Sequence, residues 1–115
     1  MPVVQVTASL MGVKQYGLRC GSKQYCVDEL GFLVNHHDWD DNWIIGALKA
    51  EGIPEYTGEH REVVDNLRLY YAENGSAPTK RKICYVAGVS LRRMFELFLG
   101  LGIACRVAGI PRPAK

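Results

Sequence analysis

The most informative stretch of this sequence is Ala104-Cys105-Arg106-Val107-Ala108-Gly109-Ile110-Pro111-Arg112-Pro113-Ala114-Lys115, at the carboxyl end. It begins as a short apolar segment that carries one cysteine and continues as a basic tail interrupted by glycine and proline. Proline fixes φ and lacks the N–H that a helix needs, so the chain after Gly109 should be extended and weakly held. The pattern predicts a short helix over residues 101–107 and a mobile arm over residues 110–115.

Cys105 itself has two interpretations. Arg106 and Arg112 flank it, and neighbouring cations lower the pKa of a thiol and so favour the nucleophilic thiolate. A persulfide formed on such a thiol can be passed on by thiol exchange. The commoner role of a cysteine is that of a small buried hydrophobe, and that role stays open for Cys105.

Four more helices are predicted before this segment, because apolar residues recur at helical spacing between capping and stop residues. In chain order they should begin at Asp40 or Asp41, near Thr57, at Pro78 and after Ser90. The first two should end at Gly52 and at Asn74-Gly75, since glycine is the usual stop residue.

A β-hairpin is predicted nearer the amino terminus, where two β-prone runs at residues 16–19 and 24–27 flank Gly21-Ser22. In that register Cys20 lies opposite Lys23 and Cys26 opposite Gly17. The two thiols therefore do not face each other, and reduced cysteines are the better expectation.

These elements predict one domain over residues 1–115 that is mainly α (α+β): a small orthogonal helical bundle with an N-terminal β-hairpin. Residues 1–13 show no clear period and are expected to form a flexible leader. No apolar run approaches the roughly 20 residues of a membrane span, and the first residues lack the basic region of a signal peptide. A cytoplasmic location is the expectation.

Conventional catalysis has little support in the sequence. The four cysteines and three histidines lack the spacing of a zinc site, and there is no phosphate-binding loop or nucleophile elbow. No metal and no cofactor is expected. His36-His37-Asp38 is better interpreted as a polar loop, and Glu59-His60 would be an acid–base pair only if both faced one cleft. Trp39 and Trp43 are expected to be core or rim aromatics.

The charge is unevenly distributed, although the formal net charge is only +2. Residues 1–60 carry four basic and eight acidic side chains, whereas residues 61–115 carry ten and four. An acidic partner surface or a nucleic acid would complement the basic half.

A helix-turn-helix-like pair is predicted within residues 80–98, with its turn at Gly88. If this helix pair binds DNA, the residues that would contact the phosphates are Lys80, Arg81, Lys82, Arg92 and Arg93. Leu91 and Phe95 occupy early positions of the second helix, where base readout needs polar side chains, and they are better suited to burial. Together with Met94 and Phe98 they are expected to form one apolar stripe.

From about Lys23 to Pro113 the chain resembles the DsrC/TusE family of dissimilatory sulfite reduction and of sulfur relay to tRNA. The matching pieces are Val27-Asp28-Glu29-Leu30-Gly31-Phe32-Leu33, Asp38-Trp39-Asp40, Glu51-Gly52-Ile53, Glu59-His60, Leu67-Arg68-Leu69-Tyr70-Tyr71, Ala77-Pro78, Glu96-Leu97-Phe98 and the stretch from Ala104 to Pro113. Each piece is weak alone, but their order and the carboxyl-terminal signature make the resemblance strong.

The resemblance implies a helical bundle with a mobile carboxyl-terminal arm that acts as a sulfur carrier. Cys105 would accept sulfur, and Arg106, Arg112 and Lys115 would dock on an acidic face of a sulfurtransferase or a sulfite reductase-type partner. The protein would be a carrier or substrate protein more than an autonomous enzyme. The alternative is a regulatory DNA-binding member of the same family without sulfur transfer.

The sequence departs from the family pattern near its end. The family's penultimate cysteine has no counterpart before Lys115, and Leu99-Gly100-Leu101-Gly102-Ile103 replaces the usual proline and Gly-Pro-Ala. Arg61 replaces the usual aromatic residue after Glu59-His60. The expectation is therefore that Cys105 works alone, that another thiol substitutes, or that the protein has a regulatory role.

Overall fold

Five α-helices and one antiparallel sheet make up the part of the chain that a computed structural model describes, residues 3–8 and 14–113. The helices are α1 (Asp41–Ala50), α2 (Gly58–Asn74), α3 (Ile83–Ala87), α4 (Leu91–Phe98) and α5 (Leu101–Val107), and one 3-10 turn (His36–Asp38) precedes α1. The predicted mainly helical fold is confirmed. Within the described residues, no helix combines the length and the apolar character needed to cross a bilayer.

The sheet contains the predicted hairpin, formed by β2 (Lys14–Cys20) and β3 (Lys23–Val27). Its register pairs Cys20 with Lys23 and Gly17 with Cys26, as predicted from the turn. None of the four cysteines forms a disulfide in the described part of the chain. Cys20 is buried, and this burial raises the pKa of its thiol.

A third strand, β1 (Val3–Ala8), pairs with the other edge of β2, where the sequence predicted part of a flexible leader. The segment is rich in β-branched residues, which favour strands. A register shift between Val3 and Gln5 places one extra residue in β1. Such a bulge breaks the strict alternation by which a strand is recognised, and this explains why the pattern was missed.

Side-chain caps begin three of the helices at the predicted residues. Asp40 accepts a hydrogen bond from the backbone N–H of Trp43, and Ser90 accepts one from that of Arg93. Thr57 forms a capping box with His60 at the start of α2. α3 is shorter than predicted, because the residues after Pro78 form a turn and the helix begins only at Ile83.

The predicted apolar stripe of α4 is only half buried. Met94 and Phe98 lie in the core, but Leu91 and Phe95 are 62% and 61% exposed. Leu97, outside the predicted stripe, completes the buried side. α4 has more apolar residues than one face can hold, so its pattern alone could not show which arc packs inward.

α5 lies at the centre of the fold and packs against α1, α2 and α4. The residues of α5 and its exit with no exposed surface are Ala104, Cys105, Val107, Ala108 and Ile110. Apolar residues on all sides are typical of a helix that neighbours surround. The carboxyl end of the chain is therefore part of the core as far as Ile110.

Candidate functional site

Cys105 is fully buried on the last turns of α5, with no exposed surface. Burial disfavours the charged thiolate and raises the pKa of the thiol to about 12. This is opposite to the lowered pKa expected from the flanking arginines. In this conformation Cys105 is a protonated, unreactive thiol at neutral pH.

Three side chains from distant parts of the chain satisfy the carbonyl groups that end α5. Trp43 Nε1 donates to the Arg106 carbonyl and Trp39 Nε1 to the Val107 carbonyl, each at 2.9 Å. Arg68 Nη1 donates to the Ala108 carbonyl at 2.8 Å. The last carbonyls of a helix have no partner within it, so these donors replace water at a buried helix end. We call Trp39, Trp43 and Arg68 the carboxyl-end clamp.

The backbone after α5 adds a Schellman motif, in which two N–H groups turn back to the helix. Ile110 N donates to the Cys105 carbonyl and Gly109 N to the Arg106 carbonyl, both at 3.1 Å. Gly109 has a φ of +71°, and a Cβ there would lie 2.4 Å from Cδ1 of Trp39. Only glycine suits both the conformation and this close approach.

Arg68 also interacts electrostatically with Trp39 and with the end of α5. Its guanidinium carbon lies 3.9 Å from the ring centroid of Trp39, as in a cation–π contact. Burial lowers the pKa of this guanidinium from its ordinary value. A cation at the carboxyl end of a helix also interacts favourably with the helix dipole.

The exposed arm begins one residue later than predicted. Ile110 is buried, whereas Pro111 and Arg112 are exposed. Ile110 is the apolar residue that commonly accompanies a Schellman motif, so it belongs to the anchor and not to the arm. Lys115 lies outside the described residues.

Comparison with known proteins places this geometry in a family. Residues 19–115 match the family model described as DsrC like protein. The chain belongs to the DsrC-like family. It is 38% identical over 94 residues to the gamma subunit of the dissimilatory-type sulfite reductase of Nitratidesulfovibrio vulgaris, across 79% of this chain and 89% of that protein.

Two further relatives agree with the DsrC-like assignment. The crystal structure of dissimilatory sulfite reductase I (DsrI) superposes with a TM-score of 0.77 at 36% identity, covering 86% of this chain and 97% of that one. The sulfurtransferase TusE of Salmonella typhimurium is 28% identical over 102 residues, which is 81% of this chain and 93% of that protein.

Arg106 is held inside this DsrC-like fold by contacts with other parts of the chain. Its guanidinium forms an ion pair with Glu51, at the end of α1, and its Nε donates to the Gly31 carbonyl at 3.1 Å. The side chain is only 15% exposed. Of the three predicted docking residues, Arg112 is the one that the structure describes as exposed.

Glu59 and His60 do not face one cleft. The ring of His60 accepts a hydrogen bond at Nδ1 from the Thr57 N–H and donates from Nε2 to the Leu97 carbonyl, so both nitrogens serve the fold. Glu59 instead pairs with Arg93. In the described residues there is no cluster of His, Cys, Asp or Glu that could hold a metal ion.

The structure separates the residues predicted to bind phosphate into one that pairs with carboxylates and four others. Arg93 pairs with both Glu59 and Glu96. The remaining four cations are exposed and form no ion pair with any described residue: Lys80, Arg81, Lys82 and Arg92. No observation favours DNA over another acidic partner.

Sequence reasoning missed the carboxyl-end clamp, although two of its residues, Trp39 and Arg68, stood in segments that match the family. Trp39 and Trp43 were expected to be core or rim aromatics and Arg68 was given no role, because the partners of Trp39, Trp43 and Arg68 lie 68, 63 and 40 positions away. The Schellman motif had a local signal that was not used. Gly109 followed by an apolar residue and a proline is the common end of a helix.

Proposed function

We propose that this DsrC-like protein is a sulfur carrier that accepts sulfur on Cys105 and exchanges it with a partner enzyme. The observation that carries the proposal is the position of Cys105 under the Schellman motif, six residues before Pro111, where the chain emerges. Release of residues 106–110 from the carboxyl-end clamp would expose the thiol to solvent. Its pKa would then return toward its ordinary value.

A carrier gains from a thiol that is unreactive at rest. Oxidation of cysteine follows thiolate character and exposure, and buried Cys105 has neither. Under the proposal, a partner that draws the arm outward opens the clamp and so makes Cys105 far more reactive in the complex than local opening makes it in the free protein. Under the proposal, the protein is a carrier or substrate of its partner more than an autonomous enzyme.

The transfer step is a thiol exchange. The thiolate of Cys105 attacks the terminal sulfur of a donor persulfide, a new S–S bond forms on Cys105, and the S–S bond of the donor breaks. The donor leaves as a thiolate and takes up the proton that Cys105 lost. No external oxidant or reductant is consumed.

The names of the relatives support the choice of partner class. One relative is a sulfite reductase subunit and another is a sulfurtransferase. We propose a partner of one of these classes, met in a reducing compartment such as the cytoplasm. The absence of a disulfide among the four cysteines fits that environment.

The test is intact-mass measurement of the folded protein after incubation with a persulfide donor, without denaturant. We expect added sulfur on the wild type and on Cys20→Ala, but not on Cys105→Ala. Cys20 is the matched control because it is also buried with a raised pKa. Sulfur addition that survives in Cys105→Ala would refute Cys105 as the acceptor.

A further inference from the structure

α4 has a second apolar stripe that no described residue buries. Leu91 and Phe95 are one helical turn apart and therefore lie on the same side of the helix. Leu99, the cap residue one turn further, is 47% exposed. On the preceding helix, Tyr85 is 84% exposed. An exposed apolar stripe of this kind along one helix is typical of an interaction site.

Leu99 holds its place in this stripe at a conformational cost. Its φ is +62°, and it is the one non-glycine residue with positive φ among the described residues. Glycine is the usual residue at this position of a helix end, because a Cβ is disfavoured there. Glycine would end α4 without this strain, whereas the chain presents an exposed leucine side chain at this position.

Exposed cations without an acidic partner among the described residues lie on α4 and in the turn before α3. At 100° per residue, Arg92 lies beside Phe95 on the surface of α4. Lys80, Arg81 and Lys82 lie in the turn that leads into α3. These four cations are exposed and have no acidic partner among the described residues, whereas Arg61 and Arg93 are each paired.

We propose that this surface is the docking site for an acidic amphipathic helix of the partner protein. The proposed α4 docking surface has Leu91, Phe95 and Leu99 as its apolar stripe, with Arg92 beside it. The proposal extends this surface to the preceding residues along the chain, Tyr85, Lys80, Arg81 and Lys82. An apolar helix face fills such a stripe, and flanking carboxylates complement the cations. The proposal rests on the proposed function, since a sulfur carrier must meet a protein partner.

Other occupants fit the surface less well. A symmetric dimer of this chain would bring together two copies of the same basic surface, which supplies no carboxylates to complement the four cations. Leucine side chains offer no hydrogen bonds to base edges and no ring to stack on a base, so nucleic acid leaves Leu91 and Leu99 without a role. An amphipathic acidic helix uses both the apolar stripe and the charges.

The test uses a synthetic helical peptide of leucine and glutamate, titrated into the ¹⁵N-labelled protein. We expect the amide shifts to change mainly in α4 and in residues 80–82. Exchanging both Leu91→Ser and Phe95→Ser should weaken binding about tenfold or more. The matched control is Leu69→Ser, which removes a leucine that is 58% exposed on α2.

A pair of charge-reversal substitutions tests the contribution of the cations to peptide binding. Lys80→Glu with Lys82→Glu should weaken peptide binding about tenfold and reduce its salt dependence, because fewer screened charge pairs remain. Lys49→Glu reverses an exposed lysine at the end of α1 and should leave binding unchanged.

Several results would overturn the proposal. Shift changes centred outside α4, or an equal loss in Leu69→Ser, would place docking elsewhere. Tighter binding to phosphatidylserine–phosphatidylcholine vesicles or to duplex DNA, lost in the α4 variants, would assign the surface to a membrane or a nucleic acid. Sulfur loading of Cys105 from a small-molecule donor needs no docking, so the two proposals can fail separately.

Discussion

Gly109 is the residue on which the anchoring of the carboxyl end depends most directly. Its φ of +71° disfavours any side chain, and a Cβ would overlap the indole of Trp39. We expect Gly109→Ala to lower the free energy of unfolding by about 2 kcal/mol or more, from conformational strain and overpacking together. Urea unfolding followed by tryptophan fluorescence measures the loss.

Gly52→Ala is the matched control for this change. Gly52 has a φ of +73°, and a Cβ there meets no atom within 4 Å. Its substitution should therefore cost only the conformational part, about 1 kcal/mol. Equal losses in the two variants would show that the contact with Trp39 does not hold the carboxyl end.

Cys105 should make the protein less stable at high pH. The pKa of its thiol rises from an ordinary 9.0 to about 12 in the folded chain, so the folded state retains the proton longer than the unfolded state. The stabilisation is complete below pH 9 and is lost as the pH rises toward 12.

The contribution of Cys105 to this pH dependence is measured by comparing the wild type with Cys105→Ala. Burial also raises the pKa of Cys20, Tyr25 and Tyr56, and these groups act in the same direction. The free energy of unfolding should therefore fall more steeply with pH in the wild type than in Cys105→Ala. Parallel curves would mean that the thiol is hydrated in the folded protein.

At the level of elements, residues a few positions apart were enough to predict helix starts and the hairpin register. The packing between elements could not be predicted in this way. The caps at Asp40, Thr57 and Ser90 and the hairpin register follow from residues a few positions apart, so the sequence was sufficient to predict them. The buried face of α4 and the pairing of β1 depend on elements that local patterns do not contain.

His60 joins two elements, and its removal should cost more than the loss of a cap. It completes the capping box of α2 and also donates to the Leu97 carbonyl in α4. We expect His60→Phe to lower the free energy of unfolding by about 2–3 kcal/mol, since a buried carbonyl loses its donor. Thr57→Ala removes only the cap and should cost about 1 kcal/mol. Thermal unfolding of both variants measures these losses of stability. Equal losses would contradict a stabilising connection between α2 and α4 through His60.

At the scale of the whole molecule, the candidate site is assembled from residues that are far apart in sequence. The carboxyl-end clamp comes from the segment before α1, from α1 and from α2, and it closes on the exit of α5. The thiol and the arm were evident in the sequence, because glycine and proline act locally. The burial of Cys105 was not, because only the complete fold brings the clamp to it.

This arrangement predicts that Cys105 reacts through local opening of residues 106–110 and not through unfolding of the whole chain. Gly109→Ala acts on the clamp itself, so it should increase the rate of sulfur loading on Cys105 about tenfold or more, in proportion to the local opening. Gly52→Ala destabilises the end of α1 and should leave the rate unchanged under native conditions. Hydrogen exchange at the Ile110 amide, which is bonded to the Cys105 carbonyl, should accelerate in parallel with loading.

A milder variant keeps this prediction testable if Gly109→Ala does not fold. Arg68→Lys retains the charge but loses the planar contact with Trp39 and the fixed geometry of the donors. It should also accelerate both loading and Ile110 exchange. If Gly52→Ala accelerates loading as much as the clamp variants do, the thiol is reached only by global unfolding. That result would contradict the proposed carrier role, because a partner that pulls the arm outward acts on the folded protein.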